Sequence, residues 1–168
     1  LKTIGIIRGE ELGQNLEKTL AQNRTLNFAH SCGMHFRFVS REEYREKETL
    51  EFQEKLTEEF DEFYLVPEGG TNQLAIKGCE EILSEKNKEF DFIAASVGTG
   101  GTLSGLINAS AKNQKILGFP ALKGDFLSEE IKKFSIKNNW ELILKYHFGG
   151  YAKVDSQLIN FINKFKED

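Results

Sequence analysis

The run Phe92–Val97 carries no charge and passes directly into Gly98-Thr99-Gly100-Gly101-Thr102, beyond which Leu103, Leu106 and Ile107 return at helical spacing. An almost wholly apolar run without alternation is the pattern of a strand buried on both faces, as in parallel sheets. A strand, a glycine-rich turn and a helix in that order form part of a βα unit, so the rest of the chain must supply neighbouring strands.

It does so in order. The pattern predicts a strand over Thr3–Arg8, a helix from about Leu16 to Cys32 with Gly33 as its stop, and a strand over His35–Val39. Ser40 is expected to cap the next helix in a capping box with Glu43. That helix places Phe52, Leu56 and Phe60 on one face. A strand over Phe63–Val66 precedes Pro67-Glu68-Gly69-Gly70. Thr71 or Asn72 caps a helix whose inward face carries Leu74, Gly78 or Cys79, Ile82 and Leu83. Strands follow at Lys115–Phe119 and Trp140–Tyr146, and helices at Glu129–Asn138 and Asp155–Phe165. The reading is α/β, a parallel sheet with flanking helices.

Composition narrows the function. With 39% apolar and 29% charged residues the chain is globular, and a net charge of −4 with mixed signs leaves no basic footprint for nucleic acid or anionic lipid. No apolar run approaches the ~20 residues of a membrane span. Two cysteines make no disulfide framework, which points to a reducing cytoplasm. His30, Cys32 and His35 lie close in sequence but read as a helix end, a glycine stop and a strand start, so no metal site is expected. Cys79 behaves as a small hydrophobe, and Glu68 as a turn carboxylate. The chain opens Leu1-Lys2-Thr3-Ile4-Gly5 without an initiator methionine, and the expectation is an internal piece of a longer protein.

Val97, Gly98, Thr99, Gly100, Gly101 and Thr102 are the candidate ligand-binding residues. Glycines let backbone approach an anion with no Cβ in the way, and a following helix adds unpaired N–H groups and a partial positive charge. Thr99 and Thr102 add hydroxyls. The spacing matches neither the dinucleotide fingerprint, which needs glycine at Leu103, nor a Walker loop, which needs Gly-Lys-Ser/Thr. A tight βα turn whose glycines serve only close packing is the other reading of the same residues.

Several segments carry a resemblance. Phe92–Leu106 resembles the phosphate loop of the tryptophan-synthase-β-like enzymes that use pyridoxal 5'-phosphate (PLP). Gly5-Ile6-Ile7-Arg8-Gly9-Glu10, Gly33–Arg41 with Tyr44-Arg45, and Tyr64-Leu65-Val66-Pro67-Glu68-Gly69-Gly70-Thr71-Asn72 resemble the 1-aminocyclopropane-1-carboxylate deaminase / D-cysteine desulfhydrase branch. The resemblance implies parts of the two α/β lobes of a fold-type-II PLP enzyme. Residues 1–62 would end the smaller lobe, and 63–168 would form part of the larger, PLP-phosphate-binding one. It implies a lyase or deaminase that converts a small amino acid to a 2-oxo acid and ammonia, working as a homodimer. Gly98–Thr102 would hold the PLP phosphate. Tyr151, in Phe148-Gly149-Gly150-Tyr151, matches a family tyrosine near the cofactor ring or substrate, though a half-buried loop aromatic is an equal reading of its chemistry. No lysine here, Lys77 and Lys153 included, stands where the family anchors its cofactor, and that segment would lie outside this chain. The alternative function is a non-catalytic module that binds a phosphorylated small metabolite.

Overall fold

The computed structural model describes residues 2–124, 126–150 and 152–167. It divides into two compact units, Leu1–Tyr64 and Leu65–Asp168. Both are α/β, each built on a small parallel sheet.

In the first unit β1 (Ile4–Arg8) pairs in parallel with β2 (His35–Val39), from Ile4 opposite His35 to Arg8 opposite Val39. Two helices join them, α1 (Leu16–Gln22) and α2 (Arg24–Ser31), where the sequence pattern predicts one. Asn23 makes the break. It is extended, its N–H bonds the Thr19 carbonyl at the end of α1, and its side chain accepts from Leu26 N at 3.0 Å to start α2. An asparagine side chain offers the backbone such an alternative to helix, so propensity at one position overrides the periodicity around it.

A second break separates α3 (Arg41–Arg45) from α4 (Leu50–Phe60), again in place of one predicted helix. Ser40 Oγ accepts from Glu43 N at 3.1 Å as expected, but the Glu43 carboxylate pairs with Arg37 Nη1 at 3.1 Å. Arg37 Nε also donates to Glu59 of α4. Burial works against the Arg37 charge, yet the hydrogen bonds to Glu59 and Glu43 outweigh it and hold the guanidinium above its usual pKa. Thr49 then caps α4 through Phe52 N. Val39, Phe52 and Leu56 form the buried centre of this unit.

In the second unit β3 (Phe92–Val97), β4 (Lys115–Pro120) and β5 (Trp140–Leu142) form a parallel sheet in that order. The crossovers are α6 (Gly101–Ala109) and α7 (Phe126–Phe134), and α5 (Gln73–Glu80) packs against α6. The core joins Val97, Leu103, Leu106, Ile107, Ile116, Leu127 and Ile131, with Ile93, Ala95, Trp140 and Leu142 packed against it. A sheet that advances in one direction through right-handed crossovers carries both crossover helices on one face. Phe92, Ala94 and Ser96 point the other way and are exposed, Phe92 at 61%. β3 is therefore covered on one face, not two. The lack of alternation in its sequence reflects small and apolar residues on an open face.

Other expectations shift. Phe63–Val66 joins neither sheet. α5 ends at Glu80; of the expected inward positions Cys79 meets α6 and Leu83 packs against the core, whereas Leu74 is 69% exposed, Ile82 faces out, and the buried residue is Ile76. The inward face is set by contact with α6, which the apolar count over 74–83 does not register. α7 starts at Phe126, three residues before the predicted Glu129, and β5 stops at Leu142 instead of Tyr146. The last helix, α8 (Ser156–Glu167), is an amphipathic helix. Among the described residues, no helix is long and apolar enough to cross a membrane.

Candidate functional site

The glycine loop forms at the carboxyl end of β3, which is where ligands gather in open α/β sheets. Gly100 is left-handed (φ 94°) and serves as N-cap of α6 without a side-chain cap. Ser104, from the first turn, donates its hydroxyl back to the Gly100 carbonyl at 3.0 Å. The Val97 side chain is in the core, so only its backbone faces the loop, and its carbonyl accepts from Ala121 N at 3.3 Å.

The three glycines differ in why they are glycines. A Cβ at Gly100 would meet Ile131 Cγ1 at 2.9 Å, and a Cβ at Gly101 would meet Thr71 Oγ1 at 2.9 Å. Packing accounts for both, and both are buried. Gly98 is exposed, does not need the left-handed region, and a Cβ there would meet nothing within 4 Å. Close packing does not explain it. Among the described residues, none of the backbone hydrogen bonds outside the regular elements uses the N–H of Gly98, Thr99 or Gly100. Open space in front of Gly98 thus adjoins uncommitted donors and the N-terminus of a nine-residue helix.

A second segment closes one side of this loop, and the sequence reading missed it. The turn Glu68–Gly70 has Gly69 in the left-handed region (φ 71°), where a Cβ would lie 2.5 Å from Thr99 Cγ2. Thr71 and Thr99 share a hydroxyl hydrogen bond of 2.6 Å. Asn72 caps α5 through Ala75 N at 2.9 Å. Cys79 and Thr102 come within 4.0 Å, and Gly105 brings α6 so close to α5 that a Cβ would lie 2.4 Å from that of Cys79. The signal was present as Gly69-Gly70-Thr71, but spacing alone cannot say that two glycine turns far apart in sequence meet.

Thr99 and Thr102 are exposed at the loop, as a donor role requires. Tyr151 lies outside the described residues. Its neighbour Gly150 is left-handed (φ 114°) and approaches Lys123, which follows β4 at the same carboxyl edge of the sheet. Lys123 is a cation that the sequence reading did not single out. No family model matches the chain, and no curated protein matches it.

Proposed function

We propose that this chain binds a phosphate monoester at Gly98–Thr102, and that the phosphate is that of PLP in a lyase or deaminase of the 1-aminocyclopropane-1-carboxylate deaminase / D-cysteine desulfhydrase family. The observation that carries the first half is Gly98, a loop glycine that packing does not explain, beside N–H groups no described carbonyl takes. The second half rests on the order of the family-like segments along the sequence.

The loop residues fit a phosphate group. They offer backbone donors, two hydroxyls and a helix N-terminus, with no Cβ in front of Gly98. When bound, PLP supplies an electron sink for carbanion chemistry on an amino acid. This chain's contribution is to hold and orient it through Gly98, Thr99, Gly100, Gly101 and Thr102. Tyr151 is assigned a place near the ring or substrate, as a hydrogen-bonding or proton-transfer group. The substrate is a small amino acid, D-cysteine or 1-aminocyclopropane-1-carboxylate, yielding a 2-oxo acid and ammonia. The working unit is a homodimer.

Titrating the chain with inorganic phosphate and with PLP, followed by amide shifts of residues 97–103, tests the binding. Gly98→Asp puts a carboxylate beside the loop where nothing blocks it. Between the dielectric of bulk water and that of a protein surface this repels a phosphate by about 1–4 kcal/mol, or about fivefold to several hundredfold in affinity. Saturable shifts that Gly98→Asp abolishes without lowering the melting temperature are expected. Shifts elsewhere with the loop unmoved would overturn the site. Binding of phosphate but not of PLP would turn the reading toward a module for another phosphorylated metabolite.

A further inference from the structure

We propose that Lys123 is the charge partner of the anion seated at Gly98–Thr102, and that it makes the site select a doubly charged phosphate over a singly charged one. This rests on the phosphate reading above and names the charge that the ligand must carry. The loop itself is short of positive charge. Gly98-Thr99-Gly100-Gly101-Thr102 has no basic side chain, and its donors are backbone N–H groups and two hydroxyls. The N-terminus of α6 adds the equivalent of about half a unit charge. A phosphate monoester carries about −1.5 to −2 at neutral pH, so roughly one positive charge is still wanting.

Lys123 stands where that charge is needed. Val97 lies opposite Pro120 in the β3–β4 register, and the Val97 carbonyl accepts from Ala121 N at 3.3 Å. The loop after β4 therefore begins in contact with the residue that precedes Gly98. Lys123 is two residues further on, its Cα at most about 7.6 Å from that of Ala121, and its four-carbon stem reaches about 6 Å more. It is exposed. A Cβ on Gly150 would lie 3.6 Å from Lys123 Cβ, so the segment that follows β5 lines the lysine stem. Segments following all three strands thus come together at the carboxyl edge, with Lys123 on the middle one.

Several other lysines of this unit are engaged by the protein itself. Lys88, Lys115, Lys132 and Lys133 pair with Glu85, Glu141, Glu129 and Glu130, and Lys137 donates to the carbonyls of Asn108 and Ser110. Lys123 makes no ion pair or hydrogen bond of this kind among the described residues. His147, on the segment after β5, has its Nδ1 occupied by Gly149 N at 3.0 Å. An ammonium on a flexible stem with no protein partner swings onto an anion without breaking any bond. Attraction between unit charges near a protein surface then adds directly to the affinity.

The test titrates the chain and its variants at about pH 8, where phosphate is doubly charged, and follows the amide shifts of residues 97–103. The probes are inorganic phosphate and dimethyl phosphate, which carries a single charge. Lys123→Gln should weaken inorganic phosphate at least about fivefold and dimethyl phosphate by less, with the melting temperature unchanged. Lys123→Arg keeps the charge and should retain most of the affinity. Lys112→Gln makes the same charge change beyond the opposite end of β4, about 20 Å away, and should change little. Added salt should weaken phosphate more in the parent than in Lys123→Gln, because screening acts on exposed charge pairs. Equal affinity of the parent and Lys123→Gln, or an equal loss in Lys112→Gln, would overturn the role of Lys123 and leave the loop site standing. A lower melting temperature for Lys123→Gln would place the ammonium on the protein's own groups and overturn it as well. Loop amides that phosphate moves in none of these proteins would overturn the phosphate site and the role of Lys123 together.

Discussion

The hydroxyls of Thr71 and Thr99 lie 2.6 Å apart, each one residue before the N-cap of a helix, Asn72 for α5 and Gly100 for α6. One bond thus ties the starts of two packed helices together beside the glycine loop. Thr71→Val removes it and should cost about 1 kcal/mol, the usual net worth of a hydrogen bond. Thr71→Ser should restore most of the loss. Denaturant titration of the three proteins checks this, and equal stability of all three would show the bond to be worth nothing.

Gly69 and Gly70 form a matched pair. Both are left-handed, but only Gly69 faces an obstacle, Thr99 Cγ2 at 2.5 Å from where a Cβ would sit. Gly70→Ala should cost about 1–2 kcal/mol from backbone strain alone. Gly69→Ala adds overpacking of about 1–3 kcal/mol and displaces Thr99, so it should also weaken phosphate binding. Melting curves with phosphate titrations of both variants separate strain from displacement.

Gly105→Ala should be among the most damaging single-methyl changes in the second unit. The added carbon would meet Cys79 Cβ at 2.4 Å and the Ile76 carbonyl oxygen at 2.8 Å, and the latter is backbone that cannot rotate away. A loss at or above the upper end of ~1–3 kcal/mol for overpacking is expected. A variant as stable as the parent would mean α5 and α6 slide apart freely.

Gln114 is buried and bonds three backbone groups. It accepts from Ala111 N at 2.8 Å and donates to the carbonyls of Asn87 at 2.7 Å and Phe90 at 2.9 Å. Gln114→Leu keeps the bulk but leaves the Ala111 N–H and the Phe90 carbonyl without this partner, while the Asn87 carbonyl keeps the Phe90 N–H; the expected cost is about 1–3 kcal/mol for each group left unpaired. Chemical denaturation measures the sum. A change under about 1 kcal/mol would show that water replaces the side chain.

How far the sequence carried depended on how local each determinant was. The strand at Phe92–Val97, the turn at Gly98–Thr102 and the helix after it follow from adjacent residues and appear where the pattern puts them. Ser40 and Asn72 cap as their chemistry dictates. The misses share a cause beyond the local window. Asn23 splits a helix because one side chain bonds the next turn, and Leu74 faces out because α6 dictates which side of α5 is inward. The approach of Gly69 to Thr99 joins residues thirty apart in sequence, and no periodicity reports it.

The end position of β3 in its sheet also bears on how the protein behaves in concentrated solution. Phe92-Ile93-Ala94-Ala95-Ser96-Val97 has neither charge nor proline, and one of its backbone edges pairs with no other described strand. Short uncharged segments with a free edge are templates for chain-to-chain pairing, and nearby charges act as gatekeepers against it. Lys88, Glu89 and Asp91 stand at the near end of this strand, whereas the far end opens into glycines. Any self-association through β3 would therefore be expected to begin at its glycine end. A ligand seated at Gly98 would shield that end, so phosphate should slow precipitation as well as raise the melting temperature.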